Sequence, residues 1–306
     1  PALVAFNKSL AYPQGTVGHA LRWAHAVNVR EYGATGDGTT DDTAAMAAAH
    51  ATGRLVYYPA GRYKFSRLST SISAGGIVGD GQEKTILAPT NVGSENLMTF
   101  TGGGTGGPAG SVIFRDFQIV GVFGGGGTPS KTGGAAIAIN PGTGLQNNYS
   151  RFYNVTIYGI PIGIDFVRTE MALVRDCCFL ACPEAGLRIA NRYNIDGGDM
   201  AVTGCTFSNP YTYGAGVKYI NSGGLRFTDN KILGGGVGFL MAYEAVAGDT
   251  GPAQTAILIL ANNSIENQAN QNISLTRVSG SSKWFYMLIH DNELAGCPVG
   301  IATDAS

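Results

Sequence analysis

Charge is scarce in this chain. Asp, Glu, Lys and Arg make up 13% of its 306 residues, few for an exposed soluble surface, so much of that surface is expected to be covered by sister chains. The net charge of −1 removes the electrostatic basis for nucleic-acid binding. No apolar run reaches the length of a membrane span and no signal peptide is visible, so no membrane insertion is expected. Cysteine is sparse and odd in number. Cys177, Cys178, Cys182, Cys205 and Cys297 lack framework spacing, which argues against a disulfide scaffold. Without His or Cys partners at ligand spacing there is no metal centre, and no cofactor motif is complete. The run Gly79-Asp80-Gly81-Gln82-Glu83-Lys84-Thr85 has a phosphate-loop flavour, but Glu83 stands where that loop needs Gly. The missing initiator Met suggests a trimmed or excised fragment.

Glycine is abundant, at 46 residues, but has no Gly-X-Y period, so collagen is excluded and the glycines belong to turns. From 111 to 303 one short unit repeats. Its clearest copies are Phe227-Thr228-Asp229-Asn230-Lys231-Ile232, Leu260-Ala261-Asn262-Asn263-Ser264-Ile265 and Ile289-His290-Asp291-Asn292-Glu293-Leu294. Each reads apolar, variable, Asp/Asn/Gly, inward residue, variable, apolar. A second signature follows, a small residue and then alternating apolar positions, as in Gly163-Ile164-Asp165-Phe166 and Gly216-Val217-Lys218-Tyr219; in one copy Asn272 replaces the Gly. Period-two alternation makes these strands, and a repeat of roughly 22 to 38 residues must stack to bury its apolar face. The expected fold is all-β, a right-handed parallel β-helix. Phe117, Val155, Cys177, Cys205, Asn230, Asn263 and Asn292 should form one inward file, with the three Asn amides bonding along it at a spacing of ~4.8 Å.

In chain order, 1–26 reads as a neck or linker and 27–306 as the β-helix domain. Within that domain, 27–110 is the cap with the first coils and 111–306 the regular coils. Thr40 or Asp41 should cap a helix that includes Ala44 to His50 and stops near Gly53. Asp37, Asp41 and Asp42 lack the alternating loop and distal Glu of a calcium site, and a turn plus a helix cap accounts for them. Leu55 to Phe65 reads strand, Pro-Ala-Gly turn, strand, and Ile77 to Leu87 reads likewise. The Gly-rich stretches 102–110 and 122–134 read as loops with no packing signal. No capping element is visible before Ser306, so the natural protein is expected to continue or to be cut there.

The run Val29-Arg30-Glu31-Tyr32-Gly33-Ala34-Thr35-Gly36-Asp37-Gly38-Thr39-Thr40-Asp41-Asp42 resembles the opening motif of the pectate-lyase-like right-handed β-helix superfamily. Tyr57-Tyr58-Pro59-Ala60-Gly61-Arg62-Tyr63 is similar to its second signature. With the neck-like start, the chain looks like a bacteriophage tailspike or depolymerase. The resemblance implies a homotrimer on a virion tail, in contact with other tail proteins, with bacterial cell-surface polysaccharide (capsule, O-antigen or exopolysaccharide) as ligand. It carries fold better than chemistry, since members include glycosidases, lyases, epimerases and non-enzymes.

Two outward files matter for function. Ile113, Arg151, Leu173, Ala201, Arg226, Ile259 and Leu288 place four large apolar residues on an outer face, as a trimer contact would. Ala138, Asp165, Arg188, Lys218, Leu240, Ser274 and Ala302 form the other file. Asp165, Arg188 and Lys218 on adjacent coils read as a salt-bridge ladder, or as a groove floor for an acidic sugar. The loops after those strands carry Arg168 and Glu170, then Arg192, Tyr193, Asp196 and Asp199, then Glu244. Glycoside hydrolysis needs a carboxylic acid and a second carboxylate. Glu170 with Asp196 or Asp199 is the closer pair, and Asp196 or Asp199 with Glu244 the more distant. Arg168, Arg192 and Tyr193 would bind substrate beside them. Tyr211 and Tyr213, on the other edge, could stack on sugar rings. His290 stands outward beside Glu293. Three functions stay open: glycoside hydrolase, lyase using Arg188, Lys218 and Asp165, and a non-catalytic receptor-binding spike.

Overall fold

The structure is a computed structural model that describes residues 26–70, 75–100, 112–125, 127–140, 147–167, 169–190, 199–220, 223–243, 255–277 and 284–303. Its strands form sheets of 18, nine and two strands, with parallel pairing throughout. Each regular coil gives two short strands to the large sheet and one to the nine-stranded sheet. Met200–Thr203, Thr206–Asn209 and Ala215–Ile220 make one coil; Leu225–Thr228, Lys231–Gly234 and Val237–Tyr243 make the next. The chain is a right-handed parallel β-helix, as the repeat predicts.

The corner between the two strands of the large sheet explains the repeat. Asp116, Asn154, Asp176, Gly204, Asp229, Asn262 and Asp291 all adopt left-handed backbone, with φ from 51° to 66°. A single left-handed residue turns the chain sharply, and Asp, Asn and Gly reach that region most easily. The next residue points inward. There the amides of Asn230, Asn263 and Asn292 form the expected ladder. Asn263 Nδ2 donates to Asn292 Oδ1 at 2.8 Å and Asn230 Nδ2 to Asn263 Oδ1 at 3.1 Å. The same oxygens also accept backbone N–H groups, from Asn263 and Asn230, both at 3.0 Å.

The Gly signature has a different cause, close approach rather than backbone angle. A Cβ on Gly186 would lie 2.6 Å from the Phe207 ring, and one on Gly238 would lie 2.4 Å from Ile265. Those inward side chains fill the space under the nine-stranded sheet. Phe114 stacks on Phe152 at 4.5 Å and Phe179 on Phe207 at 4.9 Å. Each such buried ring contributes roughly 1.5–3 kcal/mol relative to exposure.

At the N-terminal end the helix Thr43–His50 packs Met46, Ala49 and His50 into the core. Its N-cap is Asp42, not Thr40 or Asp41. The Asp42 carboxylate turns away to accept the amides of Thr35 at 2.7 Å and Gly36 at 3.1 Å, while Asp41 accepts the Thr43 amide at 3.0 Å. Asp37 closes its own turn on the Thr39 and Thr40 amides, both at 2.8 Å. Leu55–Tyr58 then Gly61–Phe65, and Gly75–Gly79 then Thr85–Pro89, are strand–turn–strand units as predicted, and each strand pairs with its counterpart in the next coil. Of the expected neck only Ala26 lies within the described residues; 102–110 and the end after Thr303 lie outside them.

Both outward files are in register. Ile113 pairs with Arg151, Arg151 with Leu173, Leu173 with Ala201, Ala201 with Arg226, Arg226 with Ile259 and Ile259 with Leu288. The 122–134 loop, which carries no packing signal in the sequence, is nevertheless packed: Phe123 bridges Pro129 and its ring lies 4.7 Å from that of Tyr158. A lone aromatic in a Gly-rich run shows no period, so its packing partner is invisible in the sequence.

Candidate functional site

The second outward file lies on the outer face of the nine-stranded sheet. Asp165, Arg188 and Lys218 stand on adjacent coils in register. Arg188 grips Asp165 in a fork, with Nε to Oδ1 at 2.8 Å and Nη2 to Oδ2 at 2.6 Å. Its remaining terminal nitrogen reaches Glu184 Oε1 at 3.2 Å, and Lys218 Nζ lies 3.7 Å from the same oxygen. Hydrogen bonding to Asp165 raises the Arg188 pKa. Both Asp165 oxygens are occupied and the residue is buried, so Asp165 acts here as an anchor. Glu184 has the more exposed carboxylate, at 38% of its side chain.

A cleft of about 430 Å³ opens at the start of these strands. Lys218, Glu184, Lys131 and Tyr213 line it, together with Pro129, Pro161 and Pro183. The Tyr211–Tyr213 turn is closed by Asn209, whose Oδ1 accepts the Tyr211 amide at 3.1 Å and whose Nδ2 donates to Tyr213 O at 3.1 Å. The two tyrosine rings lie 5.6 Å apart at 27°, and Tyr211 Oη donates to Gly127 O at 3.4 Å, which ties the turn to the 122–134 loop. Tyr213 stays 58% exposed, an open ring face at the mouth. Lys131 is nearly buried, and its ammonium donates to Gly93 O and, at 3.5 Å, to Asn91 Oδ1. Burial lowers its pKa.

Residues 26–240 match the family described as rhamnogalacturonase A/epimerase, pectate lyase-like. The chain belongs to this family. Among relatives of this pectate-lyase-like chain, the pre-neck appendage protein of Bacillus phage B103 is 31% identical over 156 residues, which cover 46% of the chain and 17% of that protein. The pre-mature gene product 12 of bacteriophage phi29 superposes with a TM-score of 0.61 at 14% identity, over 91% of this chain and 42% of that one. The family 28 exopolygalacturonase of Yersinia enterocolitica gives 0.55 at 13% identity, over 92% and 66%. The chain thus spans about a sixth of its curated relative, and the two solved structures establish the fold.

In this pectate-lyase-like chain the predicted site residues fall in three places. Asp165, Arg188 and Lys218 share one face, and Tyr213, in the turn that leads into the strand of Lys218, joins Lys218 in the cleft. Asp199 stands elsewhere, in a groove of about 300 Å³ with Arg226 and Ile257. Glu170 is placed by its backbone, paired with Asn148. Arg168, Arg192, Tyr193, Asp196 and Glu244 lie outside the described residues. His290 is exposed and pairs with Asp291 at 2.7 Å rather than with Glu293. Sequence reasoning missed Glu184 and Lys131. For Glu184 the only hint is its position just before a repeat strand, and for Lys131 there is none.

Proposed function

We propose that this chain is part of a phage appendage that binds and degrades a bacterial surface polysaccharide by glycoside hydrolysis. The observation that carries the proposal is the cleft, where an exposed tyrosine, a half-exposed carboxylate and fixed cations converge on a rigid sheet face. The appendage relative from a Bacillus phage and the exopolygalacturonase of the same fold support it. Tyr213 would stack on a sugar ring, Lys218 would contact it, and Asp165 would position Arg188. Glu184, within reach of Arg188 and Lys218 at the cleft, would be the nucleophile or water base. The acid would be a second carboxylate, with Glu170, Asp196 and Glu244 from the loops after the strands as the candidates, and Arg168, Arg192 and Tyr193 would hold substrate. A homotrimer attached to other tail proteins would present the cleft to the cell surface.

Elimination is the second reading, favoured by one observation. Lys131 has a lowered pKa at the cleft wall, and a proton-abstracting base needs that property. The two readings separate on incubation with host polysaccharide. Hydrolysis shortens the polymer and creates reducing ends without unsaturated, ultraviolet-absorbing products. Glu184→Gln should then slow cleavage by at least about a hundredfold while glycan binding persists. Full activity in that variant moves the chemistry to the loops, and an unchanged polymer size leaves a binding spike.

A further inference from the structure

Behind the cleft wall, two segments far apart in the sequence run side by side. Thr132 donates its amide to Val92 O at 3.0 Å, and Gly134 lies so close to Glu95 that a Cβ on it would sit 2.5 Å from Glu95 O. This contact sets the side chain of Lys131 against that of Asn91. The Lys131 ammonium donates to Gly93 O and, at 3.5 Å, to Asn91 Oδ1. The same Oδ1 accepts the Gly93 amide at 2.9 Å. Lys131 is 4% exposed, and burial lowers its pKa, which favours the uncharged amine. A carboxylate stands beside the pair. A Cβ on Gly93 would meet Glu95 Oε2 at 2.7 Å and Asn91 Oδ1 at 3.4 Å, so carboxylate and carboxamide flank one point.

These are the parts of an acyl transfer: a buried amine, a carbonyl polarised by a backbone N–H, and a carboxylate to move protons. We infer that Lys131 and Asn91 join in an intramolecular amide bond, with Glu95 as the proton carrier. Glu95 takes one proton from the ammonium, and the free amine attacks Cγ of Asn91. Negative charge develops on Oδ1, where the Gly93 amide already points. Glu95 hands its proton to Nδ2 as the Cγ–Nδ2 bond breaks. The surplus proton on Nζ passes back through Glu95 to the released ammonia. The products are an Nζ–Cγ amide, ammonium and the original carboxylate, with no oxidation and no co-reactant. The bond ties the 122–134 loop to the segment that follows Thr85–Pro89, and so fixes the wall of the cleft. It is independent of the glycan-degrading reading, but a bonded Lys131 has no amine left to serve as the base of an elimination.

Intact-mass spectrometry and peptide mapping of the whole chain test it. Wild type should be lighter than its sequence mass by one ammonia, and a digest should contain a branched peptide that joins the segments of Asn91 and Lys131. Asn91→Asp should form the same bond with loss of water and reach the same final mass. Lys131→Met and Asn91→Ala should keep their full sequence mass and yield no branch. Glu95→Gln, a change on an exposed side chain, should slow bond formation at least about tenfold in samples of matched age. Wild type at full sequence mass, with no branched peptide after prolonged incubation at mildly alkaline pH, overturns the inference. So does a branch that persists in Lys131→Met. Bond formation at the wild-type rate in Glu95→Gln overturns the role given to Glu95.

Discussion

At the scale of single residues, His50 shows how burial overrides helix position. It ends the helix Thr43–His50, where the macrodipole favours a cation by about 0.3–1 kcal/mol. Its ring is buried, 2.9 Å from Tyr58 Oη and edge-on to Phe100 at 6.0 Å, with Nδ1 unpartnered. Desolvation wins and lowers its pKa from 6.5 to about 4. The unfolded chain therefore takes up a proton that the folded ring resists. Stability is full above about pH 6.5, falls as pH drops, and levels off below about 4. At about 1.4 kcal/mol per pH unit, the loss from this group should reach about 3 kcal/mol. Urea unfolding at pH 7 and pH 4.5 measures it, and His50→Gln should flatten that part of the profile. An unchanged slope would mean the ring is already charged when folded.

At the scale of the coil, the corner is the unit that must be satisfied. Asn263 fills it almost completely buried, serving the Asn230 amide with its oxygen while its Nδ2 donates to Phe227 O at 3.0 Å. Asn263→Ala should leave those groups unpaired and cost roughly 2–4 kcal/mol by chemical denaturation. Asn292→Ala, at a half-buried corner that water can reach, should cost less. Equal, small losses would show that the ladder is ornamental. This element was legible because its cause is local. A left-handed residue preceded and followed by inward apolar positions leaves Asp, Asn or Gly at a fixed offset. The helix cap was misplaced by a residue or two because several adjacent side chains can serve one turn, and only packing assigned Asp42 to Thr35 and Gly36.

At the scale of the whole molecule, the proposed homotrimer would use the apolar outer file. Ile257 and Tyr286 pair across coils, as do Ile259 and Leu288, and three of these four are over 40% exposed: Ile257, Tyr286 and Leu288. Sedimentation should give a three-chain mass, and Ile257→Lys with Leu288→Lys should give monomers of unchanged circular dichroism; a monomeric wild type would refute the trimer. The candidate site was only partly legible. Asp165, Arg188 and Lys218 could be aligned from the residues because strands alternate every two positions and coils repeat, and so could the Asn file. Glu184's partners, the arrival of Tyr213 beside Lys218, and the wall supplied by Lys131 emerged only once the chain was folded. Irregular coil lengths set which turns meet, and a Gly-rich loop has too little local preference to announce where it will pack.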